Sequence, residues 1–556
     1  MGQKSKKIDK AGVLEFLKEH ALVLKLSESN PFKIRAIEKA RDVLKKETSD
    51  WLSQIEQKKL TQLPGIGKGI EALLTELYRT GRSKEHQELK QTLPKGLMEL
   101  VQLPGLGPKK AKELVDQLGV RTIGELEYAC RENRLTSLKG FGDKMQTKVL
   151  KAIEFQKSTQ GQHLWVEIQW LCKQLLSELQ KSRGADRRVE VVGPFQRKVE
   201  VIDCLQFLLE VHSDEDTEAL DRKLKKKIES ILKRAGIQTK VELFYSLRSE
   251  FGTRQVRLTS SEVHWKSLKA PKTVKASTEK TFYQKLSLEW IPPECRETGE
   301  EINFARKQNL DDSLVGWNDV QGVFHNHTTF SDGSATLEQM VKRARDLGFQ
   351  YIGISDHSQT AFYANGLKKD QIEKQHREVE TLREKYPDIT IFWGIESDIL
   401  KDGALDYPSG ILKKFDFVIA SIHQRFKLDR KEMTARLLKA IENPHTRFVG
   451  HISGRLILGR PPYDLDMEAL IQAASKHNTA IEINANPRRL DIDWRYGSIM
   501  RKHRLLTSIN PDAHSLEGLE DTIHGITVAR KALLPKKNVI STWSRKEVGD
   551  WLKQKN

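Results

Sequence analysis

Nine side chains able to hold metal ions recur through residues 321–556: His325 and His327 (FHNHTTFSDG), Asp332, His357 (ISDHS), Glu396 (GIESDI), His423 (ASIHQ), His451 (VGHISG), and Asp512 with His514 (NPDAHS). Imidazole and carboxylate suit Mn²⁺, Zn²⁺ or Fe²⁺. Most of these residues follow a short apolar run (GVF, YIGIS, FDFVIAS, RFVG), which places them at the C-terminal ends of separate strands. A closed parallel barrel gathers such ends on the face where barrels hold their chemistry. Nine donors exceed the need of a single tetrahedral ion. The set therefore predicts two or three divalent ions, an arrangement suited to phosphate ester hydrolysis.

The rest of the chain must position that centre and bring it a substrate. From residue 321 onward, strands and helices alternate, as a barrel requires. Net charge is +18, of which about +6 falls on residues 321–556 and about +12 on residues 1–320, so the polyanion-binding part is expected before residue 320. Histidine runs the other way, with 11 of 16 after residue 320. The chain divides into a basic grip and a metal-rich reactive part. Cys130, Cys172, Cys204 and Cys295 form no CxxC pair, which argues against a disulfide framework and a thiolate zinc site and fits a reducing cytoplasm. No run reaches membrane-spanning length, and MGQKSKKIDKAGV has no apolar signal core, so a cytoplasmic, nucleoid-associated protein is expected.

Residues 1 to about 155 read as helical, with apolar residues at three- and four-residue spacing. Between the helices lies a repeat: LPGIGKGIEALL (63–74), LPGLGPKKAKEL (103–114) and LKGFGDKMQTKVL (138–150). Gly65 and Gly67, Gly105 and Gly107, and Gly140 and Gly142 permit tight turns whose free N–H groups face a phosphate. Lys68, Lys109, Lys110 and Lys144 follow at the helix starts. Contacts of this kind carry no base information. Residues 189–211 read as strands around a glycine turn, 217–234 as a basic amphipathic helix, 240–265 as strand and loop, and 266–320 as an irregular polar connector.

The three turns resemble the helix–hairpin–helix motif of DNA-binding proteins. In order and over nearly its whole length, the chain resembles a bacterial family X DNA polymerase with a C-terminal PHP (polymerase and histidinol phosphatase) domain. The motifs that carry this are the nine-donor segments with ENPHTRFVGHISGR and EINANPRRLD. The resemblance implies a multidomain α and α/β protein. Its parts would be an N-terminal helical, lyase-like DNA-binding domain (1–85), a fingers-like helix–hairpin–helix domain (86–158), a degenerate palm (159–258), a thumb-like region and linker (259–319), and a distorted (β/α)7 PHP barrel (320–556). It implies three metal ions: one on His325, His327, Glu396 and Asp512, a second on Glu396, His423 and His451, and a third on Asp332, His357 and His514. It further implies 3′–5′ exonuclease or abasic-site cleavage, often with manganese, on gapped, nicked or abasic DNA in base excision repair. Arg455 and Arg488 are the candidates to neutralise the phosphate. Asp356 either orients an imidazole or simply ends a strand.

The polymerase half departs from the family pattern, which places Asp–x–Asp in a strand after a Gly–Ser turn and a third carboxylate on a later strand. Here Gly193 is followed by Pro194, the first acidic position is read as Val201, Asp203 remains, and Glu242 stands at the third. Weak or absent nucleotide addition is expected, because two-metal transfer needs the full carboxylate set. Leu73 stands where related polymerases carry a Schiff-base lysine, which opposes lyase activity, and Lys33 and Arg35 are either 5′-phosphate contacts or a solvated helix face. The alternatives are a working gap-filling polymerase, opposed by the missing carboxylate; a histidinol phosphatase-like enzyme, opposed by the hairpins; and a non-catalytic scaffold, opposed by the nine donors.

Overall fold

The computed structural model describes residues 10–46, 51–103, 105–138, 140–158, 161–307 and 310–554. The reading of a chain start without a leader falls on residues 1–9 and lies outside this set. The chain forms two compact units, residues 1–126 and 127–556. No helix among the described residues is long and apolar enough to cross a membrane.

The first unit is helical. In the helix Lys68–Thr80, Ile70, Leu73, Leu74 and Leu77 are buried at helical spacing and join Leu17, Leu24, Trp51 and Ile55 in one core. Gly65 (φ +96°) and Gly105 (φ +88°) take the left-handed turn that a side chain would resist, and Gly67 and Gly107 start their helices without a side-chain cap. The third hairpin, in the second unit, repeats this with Gly140 at φ +86° and Gly142 before the helix Asp143–Ser158.

The second unit next builds a small α/β layer. Strand β1 (His163–Leu164) pairs with β3 (Val201–Ile202), while β2 (Val189–Val192), β4 (Cys204–Val211) and β5 (Lys240–Leu247) form a separate sheet in the order β2-β4-β5. The parallel pair β4–β5 is joined by the helix Thr217–Ala235, whose Leu224, Ile228 and Ile231 cover the sheet. The expected loop after β5 is instead the helix Phe251–Thr259, and the expected irregular connector holds Glu279–Lys285 and Glu301–Lys307. These helices are too short for periodicity to reveal. Phe282, Tyr283, Ile291 and Ile302 nevertheless give them a core of their own.

The barrel has seven parallel strands in sequence order: β6 (Gly322–Val323), β7 (Tyr351–Ile354), β8 (Thr390–Asp398), β9 (Phe417–Ser421), β10 (Thr446–Val449), β11 (Ala480–Asn484) and β12 (Thr507–Asn510). Just beyond β6 and β12 the chain closes the ring: His327 N donates to the Ala513 carbonyl at 2.9 Å, and Ala513 N to the His325 carbonyl at 3.3 Å. Phe324, Phe392, Phe417 and Phe448 fill the interior, and Trp551 of the helix Arg545–Lys553 packs beneath them. Gly394 makes room for this, since a β-carbon there would sit 2.3 Å from the Phe417 ring. The aromatic floor leaves the opposite, C-terminal face for polar groups.

Candidate metal centre

All nine expected donors converge at that face. His325 and His327 follow β6, His357 follows β7, Glu396 lies within β8, His423 follows β9, His451 follows β10, and Asp512 and His514 follow β12. Asp512 (φ +55°) and His451 (φ +26°) hold backbone conformations unusual for residues with side chains, a strain that sharp turns at functional sites often carry.

Glu396 is the hub. Its Oε1 lies 3.2 Å from His325 Nε2, 3.3 Å from His423 Nε2 and 3.0 Å from His451 Nε2, and its Oε2 lies 2.7 Å from His357 Nδ1. Asp512 Oδ1 is 3.4 Å from His325 Nε2 and 3.2 Å from His327 Nε2. Asp332 is 3.5 Å from His357 Nε2 and 3.3 Å from His514 Nε2.

The donor set fits metal ions. His325 Nε2, both ring nitrogens of His327 and His357, Asp332 Oδ2, Glu396 Oε2 and His514 Nε2 are buried, with no hydrogen-bond partner among the described residues. Buried polar atoms without partners are costly, and a cation would satisfy them. Burial, with His514 and His357 adding to it, lowers His327 to about 3, and burial with Arg489 lowers His451 to about 3, so both rings are neutral. Burial would also lower His357, but Asp332 and Glu396 outweigh it and raise it to about 10.

Two carboxylates escaped the sequence reading. Glu482 accepts from His325 Nδ1 at 2.6 Å and from the His451 backbone N–H at 2.7 Å, and Asn484 and Asn510 also donate to it. Asp398 accepts from His423 Nδ1 at 2.5 Å. Each holds its imidazole with Nε2 toward the centre. The signal was period-two polarity inside apolar strands: Glu396 and Asp398 in β8, Glu482 and Asn484 in β11.

Three residues offered for supporting roles are placed as follows. Asp356 meets no imidazole; it accepts from Thr328 N and Oγ1, Ser331 Oγ and Gln375 Nε2, which anchors the loop carrying Asp332. Arg455 is engaged elsewhere, by the Arg489 carbonyl at 2.6 Å and by Asp493 and Leu490. Arg488 ion-pairs with Glu127 and Glu167. Arg488 still borders the cavity beside Asp512 and His514, and its neighbour Arg489 comes nearer the donors, with Nε 3.6 Å from Asp512 Oδ2.

Residues 324–486 match the PHP domain, 9–83 a helix-hairpin-helix domain and 97–154 a SAM-like helix-hairpin-helix tandem. The chain is 32% identical to the DNA polymerase/3′-5′ exonuclease PolX of Bacillus subtilis, covering 98% of this chain and 99% of that protein. This chain belongs to the bacterial PolX family. Over 29% of its length, this PolX-family chain is also 34% identical to a probable phosphatase of Caldicellulosiruptor saccharolyticus and 33% to one of Thermoanaerobacter sp., each match covering 64% of the relative.

In the mixed α/β middle of this PolX-family chain, the strand register places the expected acidic positions as follows. Val201 lies on β3 opposite Leu164, and Asp203 is exposed between β3 and β4, its carbonyl accepting from Lys240 N. The strand beside Glu242 is β4, where Gln206 stands opposite both Glu242 and Val192. Alternate residues share a face, so Cys204 and Gln206 lie on the same side of β4. Gly193 (φ +75°) abuts Gln206, whose Oε1 lies 1.9 Å from where a β-carbon would be. Of the hairpin residues, Lys68, Lys109 and Lys144 are exposed, while Lys110 is partly buried. Lys33 pairs with Glu85, Arg35 is exposed, and Leu73 is buried in the core.

Proposed function

We propose that this chain is a metal-dependent DNA repair nuclease that shortens 3′ ends or cleaves at abasic sites in its PHP barrel, and that its palm no longer adds nucleotides. The contrast between the two centres supports this reading. Nine donors converge in the barrel with unmet lone pairs, whereas the palm offers Glu242 bonded to Gln206.

By the family pattern, His325, His327, Glu396 and Asp512 hold one ion, Glu396, His423 and His451 a second, and Asp332, His357 and His514 a third, as Mn²⁺, Zn²⁺ or Fe²⁺. Bound ions supply Lewis acidity and a nucleophilic water near neutral pH. The protein orients the donors: Glu482 and Asp398 fix their imidazoles, and Asp356 fixes the Asp332 loop. In exonucleolytic cleavage the water oxygen bonds to phosphorus, the bond from phosphorus to the preceding 3′ oxygen breaks, and that oxygen leaves with a proton. The products are a shortened 3′-hydroxyl end and a nucleoside 5′-monophosphate.

The hairpins at Gly65–Lys68, Gly105–Lys110 and Gly140–Lys144 hold gapped, nicked or abasic DNA through backbone phosphates. A small-molecule phosphatase would have no use for them. The test uses a 5′-labelled primer on a gapped template with Mn²⁺. Shortening that stops in chelator and in His325→Ala/His327→Ala supports the reading; shortening that persists in that variant overturns it.

A further inference from the structure

Residues outside the barrel complete the mouth of the centre. The segment 127–134 lays Tyr128, Glu132 and Arg134 over the donors. Glu132 Oε2 lies 2.7 Å from His514 Nε2 and groups with Asp512 and His514 beside the centre. Arg134 Nε lies 3.9 Å from Asp332 Oδ2, and Arg489 Nε lies 3.6 Å from Asp512 Oδ2. Tyr128 links the two arginines. Its hydroxyl accepts from Arg489 Nε at 3.0 Å and Nη2 at 2.8 Å, while the Arg134 guanidinium carbon lies 5.6 Å from its ring centre. On its other side, that carbon sits 4.9 Å from the ring centre of Tyr363.

This mouth has spare donors. Arg134 Nε, Arg489 Nη1 and the Tyr363 hydroxyl are buried and have no hydrogen-bond partner among the described residues. Arg489 itself is only 3% exposed. A fully buried guanidinium with an unused N–H calls for an acceptor. Two guanidiniums beside two metal-ligating carboxylates, with rings holding their planes, fit an anion that also meets the cations, and a phosphate has the oxygens for both. A cavity of about 530 Å³ opens beside Glu132, Asp512 and His514; its arginines are Arg131 and Arg488, so it adjoins the Arg134 and Arg489 pair without being lined by it.

We propose that Arg134 and Arg489 form the phosphate grip of the PHP centre, so that the segment 127–134 supplies a substrate-binding residue from outside the barrel. This rests on the reading that the centre hydrolyses phosphodiesters.

The test measures inorganic phosphate binding to the Mn²⁺-loaded full chain by calorimetry, for wild type, Arg134→Ala, Arg134→Lys and Arg489→Lys, with bound manganese counted and melting temperature recorded for each. Arg134→Ala weakens phosphate binding roughly ten- to hundredfold, the range of a charge-assisted hydrogen bond, with manganese content unchanged. Arg134→Lys keeps the charge but not the fork and falls between. Unchanged phosphate affinity in Arg134→Ala, or lost manganese, overturns the proposal and makes Arg134 a packing or metal-supporting residue. Should Arg134→Ala not fold, Arg134→Lys decides by the same two readings. Hydrolysis of bis(p-nitrophenyl) phosphate by wild type is scored separately: its absence rejects the phosphodiesterase reading, while the phosphate titration still judges the grip.

Discussion

Gln206 Nε2 donates a 2.8 Å hydrogen bond to Glu242 Oε2 across the paired strands β4 and β5. On the proposed reading of the palm, the bond joins two positions that the family pattern fills with carboxylates. An amide cannot replace a carboxylate as a bridging ligand, and Cys204, the other position on that face, has its thiol raised to about 11 by burial and by Glu242 and Asp203. On that reading the palm offers one engaged carboxylate where two-metal transfer needs three. In a His325→Ala/His327→Ala background, which removes primer degradation, no nucleotide is expected to be added with Mn²⁺ or Mg²⁺. Glu242→Gln in the otherwise wild-type chain is expected to leave the primer-shortening rate within about twofold, since an effect below ~0.4 kcal/mol is what a residue remote from the reacting atoms gives. A large rate loss would place the palm in the reaction.

Glu482 and Asp398 hold the imidazoles of His325 and His423, and through them would support bound metal. Glu482→Gln and Asp398→Asn should each weaken metal binding by roughly 10- to 100-fold, read by chelator competition. Glu482→Gln should have the larger effect, because Glu482 also accepts from His451 N and from two asparagines. Equal affinity in wild type and both variants would mean that the donors need no such support.

The buried donors with unmet lone pairs predict that the folded barrel is stabilised by its ions. Stripping the metal should lower the unfolding temperature, and re-adding Mn²⁺ at about 100 times its dissociation constant should return ~2.7 kcal/mol. A melting curve unaffected by chelation would contradict this.

His264 is fully buried between Glu301, at 2.5 Å from its Nδ1, and the Tyr283 hydroxyl, at 3.1 Å from its Nε2. Burial holds this imidazole below its ordinary value, against the pull of Glu301. Glu301 is itself held below the usual carboxylate range: burial would raise it, but His264 and backbone N–H groups outweigh that. Both shifts leave the unfolded chain binding more protons, so both contributions are lost on acidification. The histidine part is present above about 6.5 and fades as pH falls below it. The glutamate part fades at lower pH. Stability from denaturant unfolding should therefore fall from pH 7 to pH 5, and His264→Gln should flatten that slope. An equal slope in the variant would remove His264 as its source.

The metal centre was legible because most donors sit in or just after an apolar strand, and a parallel barrel converts that pattern into proximity. The supporting arginine was not. Arg488 and Arg489 are adjacent, and the turn after β11 sends one to Glu127 and the other to Asp512, a choice set by the third dimension. The palm register misled for a related reason. Asp203, in a bend between β3 and β4, is the acidic residue that catches the eye, while the strand paired with Glu242 begins at Cys204. The short helices of residues 251–307 showed no periodicity because none exceeds nine residues. The part played by residues 127–134 could not be read at all, since it depends on a contact between Tyr128 and Arg489, 361 positions apart.

The most direct test follows primer length over time on a gapped template with Mn²⁺ and all four deoxynucleoside triphosphates present together. The account predicts a primer that only shortens, at a rate independent of the nucleotides. Products longer than the starting primer would contradict it and show that the palm, despite Cys204 and Gln206, still synthesises DNA.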